Sequence, residues 1–299
     1  MALVKSALEV GGSCIFISPD INEAAHKAFS QLPVLLCSRD NSGYDFGALK
    51  DIYIFLRDRD LIMECQRMII VNNSMLMLRP VGFQNCEALQ SLIDAKSDLH
   101  GITESYETGV YHIQSFHFSL SRRALVSSAF LEFVLSYDTS LLSRDYAISM
   151  GELRLTQSLL KAGLSVTSWM SMFSLTSSRS FSLIHNAAEA LSEFVGPSLA
   201  NDASILGAFR NEWLPRDITK YNPSLRAWAL LLLCDYPFIK RQLLELGSFS
   251  TAPILLPALM DILKLDPNRS DINQSALFLR LESTTKRSKV VGKGNKDDL

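Results

Sequence analysis

Cysteines are few in this sequence, and no motif pairs them. The five cysteines of the 299-residue chain lie far apart and without a Cys-x-x-Cys spacing, which favours reduced, buried thiols over disulfides or a zinc site. The opening residues carry one lysine and lack the sustained apolar segment of a secretory signal. The longest apolar run, residues 227–234, is much shorter than the roughly 20 residues that cross a bilayer. We therefore expect a cytoplasmic protein, and peripheral contact with the inner face of the plasma membrane stays open.

The sequence also lacks an excess of charge of either sign. It has 29 basic and 31 acidic residues and a formal net charge of -2, so no overall field attracts nucleic acid, and we expect no nucleic-acid partner. Gly-x-Ser-x-Gly, His-Glu-x-x-His and P-loop motifs are missing as well, which argues against serine hydrolases, zinc proteases and P-loop NTPases. Apolar residues make up 47% of the chain, enough for the core of one large or two modest domains.

Short apolar runs alternate with helical patterns in the first half of the chain. Strands are predicted for the apolar runs at residues 13–18, 33–38, 67–71 and 111–120. Helices are predicted for the periodic segments at residues 21–30, 48–57 and 123–135. This order is typical of an α/β protein with a mostly parallel sheet. Ligands bind such sheets beyond the carboxyl ends of the strands, so we expect the loops 38–47 and 72–80 to form the site.

The pattern changes from about residue 178. Long helical segments then dominate, at residues 182–194, 225–246 and 254–265, and the end of the chain is polar and rich in lysine. The sequence therefore predicts an N-terminal sheet domain at residues 1–177, an α-helical C-terminal region at residues 178–283 and a disordered basic tail at residues 284–299.

The junction SRDNSGYDFGALKD, residues 38–51, is unusually polar for a loop. Reversing the chain direction needs only two or three turn residues. This loop adds several groups that can bind a ligand, namely Arg39, Asp40, Asn41, Tyr44 and Asp45. The composition of the loop therefore indicates a binding site.

Several blocks of sequence occur in the order seen in a known family: RDNSGYDFGALKD, VNNS, DLHGITESYE with the strand and helix that follow it, GELRLTQSLLKAGL and YNPSLRAWALLLLCDYPFIKRQLLE. Over most of residues 11–246 the chain resembles the rhamnan synthesis protein F family. The resemblance implies a glycosyltransferase of bacterial surface polysaccharide assembly with a GT-A-like domain. It also implies a nucleotide-sugar donor and a lipid-linked glycan acceptor. Rhamnose is the namesake sugar, but the identity of the donor sugar does not carry over.

The resemblance makes the polar loop the expected donor site. A helix that begins near Asp45 would direct free N-H groups at a diphosphate, and Arg39 would pair with a phosphate. Asn41 or Asp45 would contact the ribose or the base. Alternatively, Asp45 only caps the helix and Arg39 only forms a salt bridge. The predicted donor-binding residues are Arg39, Asn41, Gly43, Tyr44, Asp45, Gly47, Asn72, Asn73 and Ser74.

Two departures from the family leave a cofactor and the activity itself open. GT-A enzymes usually hold a divalent cation near residues 72–74, where the family has Asn-Asp-Ser. Here the middle residue is Asn73, whose amide lacks the charge that retains Mg²⁺ or Mn²⁺, or these asparagines simply close a turn. The segment before the polar loop is also shorter than in the family. A non-catalytic glycan-binding or assembly module of the same pathway is therefore the alternative function.

The resemblance also suggests residues for an inverting transfer. It places an acidic residue at Glu152, which is the predicted catalytic base unless it only stabilises the start of its helix. Asp98 is the second candidate for the base. His112 and Gln114 share a strand face and are predicted to line the acceptor pocket or to satisfy polar core groups. Lys240 and Arg241 are predicted to contact an acceptor phosphate or a membrane surface, or else to end a packed helix.

Overall fold

A computed structural model describes residues 1–195, 222–244 and 252–264 of the chain. The chain divides into two compact units, one formed by Met1–Asn72 with Val81–Ser171 and the other by Asn73–Pro80 with Met172–Leu299. This division lies a few residues before the predicted boundary at residue 177. The predicted tail, residues 284–299, lies outside the described residues.

The first unit begins with a helix that we did not predict, α1 (Ala2–Glu9). A parallel pair of strands follows, β1 (Cys14–Ser18) and β2 (Val34–Ser38), connected by α2 (Glu23–Phe29). The side chain of Asn22 accepts a hydrogen bond from Ala25 N at 3.0 Å and so caps α2. The predicted parallel strand-helix-strand arrangement is confirmed for this part of the chain.

The main sheet of the first unit is mixed, which corrects the prediction of a mostly parallel sheet. Its strands are β3 (Arg67–Val71), β5 (Leu99–Ser105), β6 (His112–Ile113), β7 (His117–Ser121) and β8 (Val166–Met170), while β4 (Met75–Met77) belongs to the second unit. β7 lies between β3 and β5 and is antiparallel to both. β6 is also antiparallel to β5, and β8 is parallel to it. The connection from β5 to β6 is too short for a parallel crossover, so these neighbours pair antiparallel.

Helices pack around one apolar core in the first unit. They are α3 (Tyr44–Arg57), α4 (Glu87–Asp94), α5 (Arg122–Leu125), α6 (Ser128–Ser136), α7 (Arg144–Tyr146), a π-helical segment (Ala147–Leu153) and α8 (Arg154–Lys161), with short 3-10 helices at Leu61–Met63 and Phe83–Asn85. The predicted helix 123–135 is divided because the Ser127 side chain caps a new helix at Phe130 N. The core contains Phe46, Tyr53, Leu99, Phe118, Leu120, Phe130, Phe133, Tyr137, Leu155 and Leu159. The core thereby fixes the start of α3 and the π-helical segment, both of which carry site residues.

The second unit combines helices with a small antiparallel sheet. Its described helices are α9 (Met172–Leu175), α10 (Ser178–Val195), α11 (Pro223–Arg226), α12 (Trp228–Leu233) and α13 (Ala252–Ile262), with a 3-10 helix at Arg241–Leu244. β9 (Phe238–Lys240) pairs with β4. The predicted helix 225–246 is therefore wrong over its second half. Asp235 has a φ of 65° and Pro237 cannot donate to a helix, so the chain leaves the helical path and forms a strand.

Within the described ranges, no helix combines the length and the apolar character that are needed to cross a bilayer. Each of the five cysteines lies in these ranges and is a free thiol.

Candidate active site

The polar loop after β2 leads into α3, and its shape depends on a glycine and an arginine. Gly43 has a φ of 68° and directly precedes α3, whose first turn has no side-chain cap. Arg39 holds the loop because its Nε lies 2.8 Å from Asp51 Oδ2 and its Nη2 donates to Ser42 O at 2.7 Å. The structure thus gives Arg39 the salt bridge that the sequence left as the alternative to phosphate binding.

Asp45 links the start of α3 to the end of β3. Asn72 Nδ2 donates a hydrogen bond to Asp45 Oδ2 at 2.8 Å, and it lies 3.4 Å from Ser115 O. The backbone N-H of Asn72 donates to Phe116 O at 3.0 Å. Two of the predicted donor-site residues, from loops that are far apart in the sequence, are therefore in direct contact.

A bulge between β6 and β7 presents Ser115 to this cluster. On β5, Gly101 pairs with Phe118 of β7 and Glu104 pairs with Ile113 of β6. The two paired residues are three positions apart on β5 but five positions apart on the β6–β7 segment. The predicted single strand 111–120 therefore carries two extra residues that do not fit the ladder. They fall near Ser115, whose backbone and side chain are then free to contact a neighbouring helix.

Glu152 lies in the π-helical segment and accepts hydrogen bonds from this bulge. Ser115 donates to Glu152 Oε2 twice, from its N at 2.7 Å and from its Oγ at 2.5 Å. On the other oxygen, Oε1 lies 3.3 Å from His112 Nε2, although the angle departs from that of an ideal hydrogen bond. The preceding Gly151 lets the π-helical segment approach Phe46, because a methyl group there would lie 2.6 Å from Cε2 of that ring.

His112 forms an ion pair with Glu152. Its side chain is 0% exposed, and its Nδ1 lies 2.8 Å from Val110 O. A carbonyl oxygen only accepts, so Nδ1 carries a proton, and a neutral ring would then turn a lone pair on Nε2 toward a carboxylate. Protonation of Nε2 removes this conflict. Burial alone would lower the pKa of His112, but the contact with Glu152 and its charge outweigh burial and raise the pKa.

The two carboxylates of the cluster have pKa values that are shifted in opposite directions. Burial raises the pKa of Glu152, but the interactions with His112 and Ser115 outweigh it and the pKa is lowered. The residue Asp45 keeps solvent exposure, yet protein atoms crowd its carboxyl group. This desolvation raises its pKa, the bond from Asn72 lowers it and the charge of Glu152 raises it again, with a net rise. The surroundings therefore favour the charged form of Glu152 and disfavour that of Asp45.

We expect His112→Gln to remove a pH-dependent part of the stability. Because the folded pKa of His112 is raised above 6.5, its contribution is complete below that pH and is lost as the pH rises through the folded pKa. Between about pH 6 and 9 the wild type should therefore lose more stability than the variant. Thermal midpoints measured over this range test the difference.

The exposed His185 provides the control for this experiment, and His185→Gln should behave like the wild type. Burial lowers the pKa of His100 to about 4 and that of His117 to about 3. The protonation of these two residues therefore changes stability only below about pH 6.5, and it does so equally in all three proteins. Equal pH dependence in the wild type and in His112→Gln would contradict the ion pair.

Asp98 is not part of this cluster. It is 5% exposed, and its carboxylate accepts from Ser121 Oγ at 2.8 Å, from Ser165 N at 2.9 Å and from Ser165 Oγ at 3.0 Å. Burial opposes ionisation, but these bonds and the nearby Arg123 lower the pKa of Asp98. Its contacts join the start of β5 to the end of β7 and to the residue before β8, which favours a structural role.

The remaining predicted residues lie in different surroundings. Gln114 is buried and accepts from Thr103 Oγ1 at 2.7 Å, which corresponds to the core alternative. Tyr44 Oη lies 3.4 Å from Leu142 O, and Asn41 is exposed in the polar loop. Gly47 lies inside α3. The predicted residues in the second unit are Asn73, Ser74, Lys240 and Arg241.

The second unit positions these four residues by main-chain pairing. Arg241 N donates to Ser74 O at 2.9 Å, next to the β4–β9 ladder. Lys240 Nζ lies 3.2 Å from Ser224 Oγ, and Arg241 and Asn73 are exposed. Lys240 and Arg241 therefore do not end a helix, which corrects that alternative.

Sequence reasoning missed Ser115, which provides two of the donors to Glu152. His112 was predicted to line the pocket for the glycan acceptor or to satisfy polar core groups, and its buried position against Glu152 corresponds to the second alternative. Most of YHIQSFHFSL alternates between apolar and polar residues, which favours an unbroken strand. The position of two polar residues, Gln114 and Ser115, side by side in this apolar run is the one available signal, since strict alternation would separate them.

The side chains of the cluster do not form a suitable set of ligands for a divalent cation. Both oxygens of Glu152 already contact Ser115 or His112, and Asn72 adds an amide rather than a charge. Mg²⁺ and Mn²⁺ favour several oxygen ligands with anionic character. Among the described residues, no three His, Cys, Asp or Glu side chains form a group that could hold a metal ion.

Comparison with known proteins identifies a family. The family described as rhamnan synthesis protein F matches residues 14–193, which is 180 of the 299 residues. The match confirms the resemblance over this range, which includes Asp45, Asn72, Ser115 and Glu152, whereas the predicted similarity of residues 221–245 lies outside it. Neither the curated proteins nor the solved structures compared with the chain include a match. The chain belongs to the rhamnan synthesis protein F family, and this membership implies a part in the synthesis of a polysaccharide.

Proposed function

We propose that the protein is a glycosyltransferase that moves a sugar from a nucleotide-sugar donor to a growing lipid-linked cell-surface polysaccharide. The observation that carries the proposal is the pair Asp45 and Glu152, which lies within the family match and shares one hydrogen-bonded cluster through Asn72 and Ser115. Transfer to a hydroxyl group needs a carboxylate that accepts its proton. The description of the family names rhamnan, so a rhamnose donor is the first to be tested.

The start of α3 is suited to the diphosphate of such a donor. No side chain caps this helix, and Gly43 precedes it without a Cβ. The first N-H groups of a helix and its positive end favour an anion. Arg39 lies nearby in the loop, where its salt bridge to Asp51 makes it a support for the loop rather than a free phosphate ligand. Asn41 and Tyr44 are the proposed contacts to the nucleoside.

The proposal extends to a GT-A-like arrangement of the first unit and to a location at the inner face of the plasma membrane. The parallel β1–α2–β2 unit that leads into the polar loop supports the former. For the latter, the exposed guanidinium of Arg241 in the second unit is the proposed contact with the phosphate of a lipid-linked acceptor. Lys240, which is half-buried, is the second residue of this contact.

A non-catalytic glycan-binding module is the second candidate function. The amide of Asn73, in place of the carboxylate usual in the family, and the full engagement of Glu152 by His112 and Ser115 favour it. Such a module would bind a donor or a glycan without releasing product.

The experiment that tests the proposal is a panel of nucleotide sugars incubated with the purified full chain. Released nucleoside diphosphate reports slow hydrolysis, which needs no acceptor, and isothermal titration reports binding. We expect one donor to bind and to be hydrolysed, both by the wild type and by Glu132→Gln, a control on the exposed face of α6. Binding without turnover would favour the second candidate, and failure of every nucleotide sugar to bind would contradict the glycosyltransferase.

We expect turnover to persist largely in EDTA. Both oxygens of Glu152 contact Ser115 or His112, so the cluster leaves the carboxylate of Asp45 as its one anionic ligand for a cation, fewer than a required ion needs. The assay compares hydrolysis rates with EDTA and after Mn²⁺ is added back. A complete loss that Mn²⁺ restores would show that other carboxylates hold an ion.

A further inference from the structure

We infer that Asp45 is the catalytic base of the proposed reaction and that Glu152 is a positioning residue whose fixed negative charge acts on Asp45. The inference rests on the proposed function and divides the roles within its carboxylate pair. It reverses the roles suggested by the sequence, which assigned Asp45 to donor binding and Glu152 to proton transfer.

The contacts of Glu152 leave it poorly placed to accept a proton from a substrate. Each carboxylate oxygen has two lone-pair sites, and both donors of Ser115 approach Oε2, at 2.7 and 2.5 Å. Oε1 lies against the completely buried ring of His112 at 3.3 Å. The side chain of Glu152 is 15% exposed. Oε2 is therefore filled, and a hydroxyl group could reach only the remaining site of Oε1, beside the buried ring of His112.

Asp45 has the opposite geometry. The residue is exposed, and its carboxylate accepts one hydrogen bond, from Asn72 to Oδ2 at 2.8 Å. Within the part of the chain that the structure describes, Oδ1 has no hydrogen-bond donor. Asn72 fixes the orientation of the group from one side and leaves Oδ1 available to a hydroxyl group, which a general base requires.

The charges around Asp45 support this division. The groups that face it are Asn72 from the end of β3, Glu152 from the π-helical segment and Tyr137 from the end of α6, with Tyr44 next to it in the chain. Desolvation and the charge of Glu152 raise the pKa of Asp45, while the pKa of Glu152 itself is lowered. Desolvation and a neighbouring charge thus strengthen Asp45 as a proton acceptor, while the contacts of Glu152 weaken it as one.

The reaction balances without another reactant. The acceptor O-H bond breaks and its proton goes to Oδ1 of Asp45, while the acceptor oxygen forms a bond to the anomeric carbon of the donor. The bond from that carbon to the diphosphate breaks, and its electron pair leaves with the nucleoside diphosphate. Glu152 stays ionised throughout, held by Ser115 and His112.

The test compares Asp45→Asn with Glu152→Gln, using the nucleotide sugar that the wild type hydrolyses. We expect Asp45→Asn to lower kcat by about 10² to 10⁴-fold at every pH, because no proton acceptor remains. Glu152→Gln should keep most of the turnover but move the acidic limb of the kcat profile to lower pH, because Asp45 loses a neighbouring negative charge. Near-normal kcat in Asp45→Asn, or a loss in Glu152→Gln of the size expected for Asp45→Asn, would overturn the inference.

A second measurement does not depend on the stability of Glu152→Gln. Carboxyl-carbon NMR of the labelled wild type follows the titration of Asp45, assigned by the signal missing from Asp45→Asn. We expect a midpoint above the ordinary value of 3.8, and a midpoint at or below it would overturn the inference. Absence of turnover in the wild type overturns the proposed function and the inference together, whereas turnover that survives in Asp45→Asn overturns the inference alone.

Discussion

Asp98→Ala is expected to destabilise the first unit by about 2 to 4 kcal/mol, a large part of the stability of an ordinary domain. The change removes the carboxylate that accepts hydrogen bonds from Ser121 Oγ, Ser165 N and Ser165 Oγ. It also removes the salt-bridge partner of the exposed Arg123. Buried donors that lose their acceptor keep the cost of desolvation. Chemical denaturation of the wild type and the variant measures the loss.

Asp94→Ala is the matched control for this prediction. Asp94 lies on the exposed side of α4 and accepts one bond, from Gln90 Nε2 at 2.9 Å, so its removal should cost less than about 0.5 kcal/mol. The folded pKa of Asp98 is lowered below 3.8, so its contribution is present above that pH and is lost as the pH falls through the folded pKa. The difference in the free energy of unfolding between the wild type and Asp98→Ala should therefore become smaller as the pH falls. Loss of turnover in the folded fraction of Asp98→Ala, with small loss of stability, would instead support Asp98 as a catalytic residue.

Gly151→Ala is expected to cost about 2 to 3 kcal/mol and to weaken the influence of Glu152 on Asp45. The added methyl group would lie 2.6 Å from Cε2 of the Phe46 ring, and Phe46 is part of the core that supports α3. The π-helical segment and the start of α3 must then separate. Denaturation measures the cost, and the carboxyl-carbon titration of Asp45 measures the electrostatic effect.

A double-mutant cycle with Phe46→Leu separates a steric conflict from a general effect of alanine in the helix. Leucine lacks the ring that meets the new methyl group, so Gly151→Ala should cost clearly less in the Phe46→Leu background than in the wild type. An equal cost in both backgrounds would show that contact with Phe46 is not what requires a glycine. Such a result would remove the proposed reason for the close approach of the two segments.

The local features of the polar loop could be predicted from the sequence because they depend on neighbouring residues. Gly43 adopts a left-handed conformation that other residues avoid, and α3 begins directly after it. Asp45 and Asn72 were predicted as site residues because polar residues at the ends of apolar runs are typical of sites, and Glu152 was predicted from the resemblance to the family. Their individual roles were not, because these depend on partners that come from distant parts of the chain.

The pairing of the strands and the state of Glu152 required the tertiary structure. The run from Tyr111 to Leu120 has the composition of one strand, and only its register against β5 reveals the bulge that brings Ser115 to Glu152. Similarly, residues 238–240 follow an apolar helix and continue its composition, but pairing with β4 makes them a strand.

The sequence by itself determined the α/β class of the fold, the family and the polar loops, because composition, periodicity and short motifs are properties of adjacent residues. Only the tertiary structure decided that the main sheet is mixed, that Asp98 joins strands and that Glu152 is held by His112 and Ser115. The physical reason is that the acidity of a carboxylate depends on the donors and charges within a few ångströms of it. Folding brings those groups together from distant parts of the chain, as it does for Asp45 and Ser115, which lie 27 and 43 positions from Asn72.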